Sequence, residues 1–285
     1  MEPVAQEEQR TRQQLERLRA LVREMGSVLV CYSGGIDSAL VVAVATEQLG
    51  EAAVAMTAVS PSLPQRERDQ AVLTAQEMGA DHRLVESHEM QRPGYVANGA
   101  DRCFHCKSEL YSLAAQKRRE WQLSWIANGT NRDDQGDYRP GLQAAENARV
   151  RSPLLEAGLS KADVRAVAQQ LKLRIWDKPA AACLASRLPY GTSVTAERLS
   201  QIERFEQALE KWELRRLRVR YHHDVARIEV LPEDFARLVT PAAAAQIAQI
   251  GKECGFAFTT LDLAGYRMGS LNELLSGRQL KVMGS

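Results

Sequence analysis

The segment Ser33-Gly34-Gly35-Ile36-Asp37-Ser38 carries the residue types that hold a polyphosphate. Two adjacent glycines let the backbone come close to an anion, because no Cβ stands in the way. The segment lies between an apolar run and a helical pattern. The first N–H groups of that helix, and its dipole, would therefore face negative charge. Ser33 and Ser38 add hydroxyl donors. Asp37 would be a poor direct phosphate ligand but suits a Mg²⁺ that bridges phosphates. No Gly-Lys-Ser/Thr follows, so this is not a Walker loop, and the glycine spacing is not GxGxxG.

A second chemistry resides in thiols. Cys103-Phe104-His105-Cys106 is a C-x-x-C in a loop that opens a helix, where thiol pKa values fall and metal affinity rises. Cys183 lies in another loop, Ala181 to Arg187. On spacing alone three readings stand: an iron–sulfur cluster with one open iron, a zinc site completed by His105, or unligated or redox thiols. Cys31, inside an apolar run, and Cys254, in a Glu-Cys-Gly turn, read as incidental thiols.

The composition narrows the partners. The 285 residues include 37 Lys plus Arg against 36 Asp plus Glu, a net charge of +1. That balance gives no electrostatic reason to expect nucleic acid or an anionic membrane surface. No apolar run reaches the roughly 18–20 residues that span a bilayer. Met1 to Arg12 is too polar for a secretory signal, so a cytoplasmic location and reduced cysteines are expected. Of the 37 basic residues 29 are Arg, the type that binds carboxylate and phosphate bidentately.

These groups need elements to position them. Apolar runs at Ser27–Tyr32, Ala53–Val59, Arg83–Glu86 and Trp125–Ala127 read as strands. They alternate with helical patterns at 5–24, Asp37–Leu49, Gln65–Met78 and Cys106–Trp121. Strands alternating with helices predict a doubly wound parallel α/β sheet, with ligands at the carboxyl ends of its strands. The long Gly-, Pro-, Asn- and Asp-rich stretches 87–105, 128–159 and 177–194 are expected to be functional loops. From Thr195 the pattern changes to a helix, a hairpin of Arg216–Tyr221 and Val225–Leu231, a helix at Pro241–Ile250 and a strand at Phe256–Leu263. We therefore expect an α/β domain over 1–188 and a smaller α+β domain over 189–285.

Ser-Gly-Gly-Ile-Asp-Ser resembles the PP-loop of the ATP pyrophosphatase superfamily. That likeness implies that the loop holds the β and γ phosphates of ATP and that the enzyme adenylates its substrate. Ala58, at the end of the second strand, would then support the adenine, and Asn128-Gly129-Thr130-Asn131 would form a second nucleotide-facing turn. Further segments point to one family within it: Asp137 to Leu142, Ser186 to Gly191, Arg218 to Glu229 and Leu261 to Ser270. Together with the loop they resemble the LarE family, over about residues 27 to 275.

The LarE resemblance implies ATP-dependent sulfur transfer to the carboxylates of pyridinium-3,5-biscarboxylate mononucleotide, in the synthesis of a nickel-pincer cofactor. One branch of the family gives up the sulfur of a single cysteine, at the position of Cys183. Another holds a [4Fe–4S] cluster on three. The trio Cys103, Cys106 and Cys183 resembles the second branch. ATP, Mg²⁺ and the cluster are the implied cofactors, and the likeness suggests a homo-oligomer. The sequence names no sulfide donor. Lys107 is a candidate to stabilise phosphate charge. Arg218 and Arg220, two apart on one strand face, would clamp the substrate's phosphate. Arg187 and Arg267 are further candidates for the same pocket, and Glu229 and Asp262 would orient arginines or bind a metal. Tyr138, Arg139 and Glu146 are expected in a loop that closes over the site, while His222 and His223 are ordinary hairpin residues. A tRNA thiolase of the same superfamily is a rival that the near-zero net charge disfavours. An ammonia-using amidating enzyme would not need the thiols. A nucleotide-binding regulator would need neither the thiols nor Asp37.

Overall fold

The computed structural model describes residues 2–136, 140–179, 181–267 and 270. They divide into two compact units, Met1–Glu89 with Cys103–Ala181, and Met90–Arg102 with Ala182–Ser285.

The first unit is built on a parallel sheet of β1 (Val28–Cys31), β2 (Ala53–Val59), β3 (Asp81–Glu86) and β4 (Trp125–Ala127), in the order β3-β2-β1-β4. All four residues of β1 are buried, as expected of a strand covered on both faces. Successive side chains divide between two cores. Val28 and Val30 pack with α1 (Glu2–Met25) and α2 (Ile36–Leu49). Leu29 and Cys31 pack with the helix that carries the first two thiols. Small residues at Ala39, Val41, Val42, Val44 and Ala45 let α2 lie close against the sheet. From β1 the chain winds outward through β2, α3 (Gln65–Glu77) and β3, then returns to β4 on the other side of β1. The reversal puts the switch point between β1 and β4. In open α/β sheets that crevice binds the ligand.

The second unit opens with a short helix, α4 (Pro93–Val96). The first unit continues with α5 (Arg102–Glu120), α6 (Pro140–Asn147), α7 (Pro153–Glu156) and α8 (Lys161–Gln170). All four of these differ from expectation. α5 begins four residues earlier than the pattern indicates, so Cys103 and Cys106 both lie within its first turns and not in a loop before it. Their types carry no apolar periodicity that would reveal this. Within 128–159, expected as loop, the chain forms α6 and α7. α8 was not anticipated at all, although Ser160 and Asp163 form a reciprocal capping box at its start, which is a readable signal.

The second unit carries α9 (Ala196–Ala208), capped by Thr195, whose hydroxyl accepts from Arg198 N–H. β5 (Leu217–His222) and β6 (Val225–Val230) form the expected hairpin, with His223 at φ +56° in the turn. After α10 (Phe235–Leu238) and α11 (Pro241–Glu253), β7 (Phe258–Leu261) pairs parallel to β6. Its core includes Phe205, Phe256 and Tyr221, whose rings meet at 5.9 and 6.0 Å. Among the described residues no helix is long and apolar enough to cross a membrane.

Candidate active site

The Ser33–Ser38 loop leaves β1 and enters α2 at the switch point. Gly34 has φ +73°, and a Cβ there would lie 2.9 Å from Ala71 Cβ, so glycine is required for both backbone and space. Gly35 is the N-cap, and no side chain caps the helix. The first-turn N–H groups thus keep their capacity for an anion. Ser38 Oγ accepts from Ser33 N–H at 3.1 Å and lies 3.1 Å from Ser33 Oγ, which draws the two hydroxyls together. Gly129, in the turn after β4, backs against this helix start. A Cβ on it would sit 2.5 Å from Ser38 N. Ala58, half-buried, pairs with Val85 near the end of β2, at the same carboxyl end of the parallel strands as the loop after β1.

Charge around the loop comes from lysines that the sequence reading did not single out. Asp37 accepts from Asn131 Nδ2 at 3.1 Å and forms a short ion pair with Lys161, the first residue of α8. Lys178 Nζ donates to Gly34 O at 3.1 Å and pairs with Glu67 at 2.8 Å. Only eight of the 37 basic residues are Lys, and that scarcity was the available signal. Glycines, orphan N–H groups, a carboxylate and two ammoniums suit a Mg²⁺-bound triphosphate. The donor set fits ATP.

Cys103 is exposed and Cys106 half-buried. The Cys106 thiol donates to Glu89 Oε2 at 3.4 Å, while Ser60 donates to Glu89 Oε1 at 2.7 Å and Ser62 donates to the same oxygen. This buried carboxylate connects the C-x-x-C helix to the loop after β2. Lys107 makes no hydrogen bond or ion pair among the described residues. Burial would lower its pKa, but Tyr111, Cys106, Cys31 and Cys103 outweigh that and hold the ammonium above its ordinary value. Cys31 is buried, and burial pushes its thiol up to about 12. Among the described residues no three His, Cys, Asp or Glu side chains converge as a metal site.

In the second unit Cys183 is exposed and precedes the turn 184–187. Arg187 is buried. Its Nε and Nη2 bind Glu206 at 3.0 and 3.1 Å, and its Nη1 binds the carbonyls of Ala182 at 2.5 Å and Cys183 at 2.9 Å. It therefore fixes the backbone that carries the thiol. Arg220, 1% exposed, donates to Glu229 at 2.8 Å, Ser270 Oγ at 3.0 Å and Ser186 O at 2.8 Å. Glu229, fully buried, also takes Arg227 at 3.1 Å, and Asp262 pairs with Arg227 at 3.4 Å. Arg218 is different. It is buried, lies 4.8 Å from the centre of the Tyr266 ring, and has no ion pair among the described residues. Burial, with the Arg220 and Arg187 charges, holds its guanidinium below the ordinary value, although Tyr266 and Glu229 offset part of this. A buried cation beside two others attracts an anion. Arg267 is half-buried beyond β7, and Glu146 is exposed on α6. Tyr138 and Arg139 lie outside the described residues.

Comparison with known proteins extends this picture. A family model for asparagine synthase matches residues 12–92, which include the loop. The pyridinium-3,5-bisthiocarboxylic acid mononucleotide synthase of Lactiplantibacillus plantarum is 36% identical over 268 residues, covering 92% of this chain and 95% of its own length. An uncharacterised protein of Synechocystis sp. is 44% identical over 262 residues, 92% of this chain and 98% of its own. Another from Methanocaldococcus jannaschii is 25% identical over 240 residues, 84% of this chain and 90% of its own.

Proposed function

The chain belongs to the LarE family, ATP-dependent sulfurtransferases of the PP-loop superfamily, and from that premise we propose that it converts the carboxylates of pyridinium-3,5-biscarboxylate mononucleotide to thiocarboxylates. Sulfur is delivered at Cys103, Cys106 and Cys183. The observation that carries this reading is the presence, in one chain, of a phosphate-ready helix start and three accessible or half-accessible free thiols.

The first-turn N–H groups of α2 hold the β and γ phosphates of ATP, Asp37 takes the Mg²⁺, and Ala58 supports the adenine. A substrate carboxylate oxygen attacks the α-phosphorus, and pyrophosphate departs with the electron pair of the broken P–O bond. Holding both reactants in line supplies much of the acceleration. A sulfur nucleophile then attacks the acyl carbon, and AMP leaves with the electrons of the C–O bond. The donor chemistry of Cys103, Cys106 and Cys183 suits a [4Fe–4S] cluster. Bound there, such a cluster would supply a sulfide nucleophile, and no protein sulfur would be consumed. Lys107, an ammonium among thiols, stabilises anionic charge beside them. Arg218 binds the substrate's phosphate, because its charge has no ion pair among the described residues. Arg220 and Glu229 hold the strand that presents it, Arg187 holds the Cys183 turn, and Arg267 is assigned to the same pocket. Residues 1–188 form the ATP domain in this reading, and 189–285 the substrate-binding and assembly domain of a cytoplasmic homo-oligomer.

Anaerobic iron and acid-labile sulfide analysis of wild type beside Cys183→Ala tests the cluster. About four irons per wild-type chain, with loss in the variant, are expected. Stoichiometric zinc without labile sulfide would contradict the cluster and leave the ATP site standing.

A further inference from the structure

Lys161 differs from Lys178 in what holds it. Lys178 is nearly buried and anchored twice, to the Gly34 carbonyl and to Glu67. Lys161 is one-third exposed, and Asp37 is its side chain's one partner among the described residues. Its backbone is firmly placed. The Lys161 N–H donates to Asp133 Oδ2 at 2.9 Å, and the Ser160–Asp163 capping box fixes the turn. A rigid base therefore carries a flexible ammonium, lightly tethered.

The tether is the carboxylate oxygen that a metal would need. Asn131 takes Asp37 Oδ1 and Lys161 takes Oδ2. Mg²⁺ binds carboxylate oxygen at about 2.0–2.1 Å and tolerates little distortion, so the ammonium and the metal compete for Oδ2. A triphosphate arriving with the metal brings excess negative charge to the helix start, within reach of the four-carbon Lys161 stem.

We propose that Lys161 is a phosphate-binding residue that exchanges partners: it neutralises Asp37 until Mg²⁺ arrives, then turns to the phosphates of the nucleotide. The exchange gives the loop a cation for Asp37 at every stage and couples metal entry to phosphate capture. A lysine suits this, being a compact point charge on a flexible stem, where the planar arginine fork would lock one geometry. This inference rests on the ATP reading above.

The exchange predicts two effects of opposite sign for Lys161→Met. Calorimetric titration with the magnesium complex of α,β-methylene-ATP should show affinity reduced about 10- to 150-fold, the worth of one charge-assisted hydrogen bond. Titration with Mn²⁺ alone, followed by electron paramagnetic resonance, should show tighter binding than wild type, because the competitor for Asp37 is gone. Lys161→Arg should keep most of the analogue affinity and serves as the folding control. A partly exposed ion pair adds little stability, so both variants are expected to fold. Unchanged analogue affinity in Lys161→Met would overturn the proposal, as would weakened Mn²⁺ binding, the signature of a purely structural pair. A wild-type protein that fails to bind the analogue would overturn the ATP reading itself.

Discussion

Gly129→Ala probes how the ATP loop is shaped from behind. The new Cβ would lie 2.5 Å from Ser38 N, 2.8 Å from Asp37 C and 2.9 Å from Ser38 Cα. All three are backbone atoms at the start of α2, so no flexible side chain can move aside. Ordinary contact begins at 3.4 Å, and 3.4 − 2.5 = 0.9 Å of separation must be created. Overpacking of this kind costs about 1–3 kcal/mol, and melting temperature falls by about 2–4 °C per kcal/mol in a chain near this size. The displacement falls on the N–H groups assigned to phosphate, and misplacing reacting groups by about 1 Å can cost about 10²-fold in rate. Differential scanning fluorimetry and calorimetric titration with magnesium α,β-methylene-ATP read the two effects separately. The expected result is a melting point lower by several degrees and analogue affinity reduced at least about tenfold. Wild-type melting together with wild-type affinity would refute the reasoning, because it would mean that the turn after β4 does not support the loop.

Three further outcomes follow from other parts of the molecule. Arg187→Met leaves the Glu206 carboxylate without its bidentate partner and should destabilise the protein by about 3–5 kcal/mol in chemical denaturation. It should also speed alkylation of Cys183, whose carbonyl loses its anchor. The Arg151 guanidinium holds the Glu156 carboxyl below its ordinary pKa. Its stabilisation is therefore full above the unfolded value of about 4.3 and lost as pH falls through the lower folded value; Glu156→Gln should flatten that acid limb of the stability curve. Mass-spectrometric footprinting with iodoacetamide at pH 8 should label Cys103 and Cys183 first. Cys31, with a pKa of about 12, would then be about one part in 10⁴ thiolate and stay unlabelled in the folded protein.

What could be read from the sequence was local. β1, the glycine loop and α2 follow one another within a few residues, and their periodicity and turn chemistry suffice to order them. The β5–β6 hairpin was readable for the same reason. The cations around the loop were not, because Lys161 reaches Asp37 across 124 residues and Lys178 reaches Gly34 across 144. The two strand arginines show the limit most clearly. Alternation puts Arg218 and Arg220 on one face, but only tertiary packing reveals that Glu229, Ser270 and the Ser186 carbonyl already engage Arg220, whereas Arg218 lacks an ion pair among the described residues. α8 is a different kind of miss, since its Ser160–Asp163 capping box was present in the sequence and its alternating small residues concealed the helix.

The central claim is catalytic sulfur transfer driven by ATP, and one reaction tests it directly. Cluster-loaded protein is incubated anaerobically with ATP, Mg²⁺, sulfide and pyridinium-3,5-biscarboxylate mononucleotide, and pyrophosphate, thiocarboxylate and intact protein mass are counted together. The account predicts equal amounts of pyrophosphate and thiocarboxylate, many per chain, with Cys183 unchanged. Pyrophosphate without thiocarboxylate, or a single turnover in which the protein loses the mass of one H₂S, would contradict it.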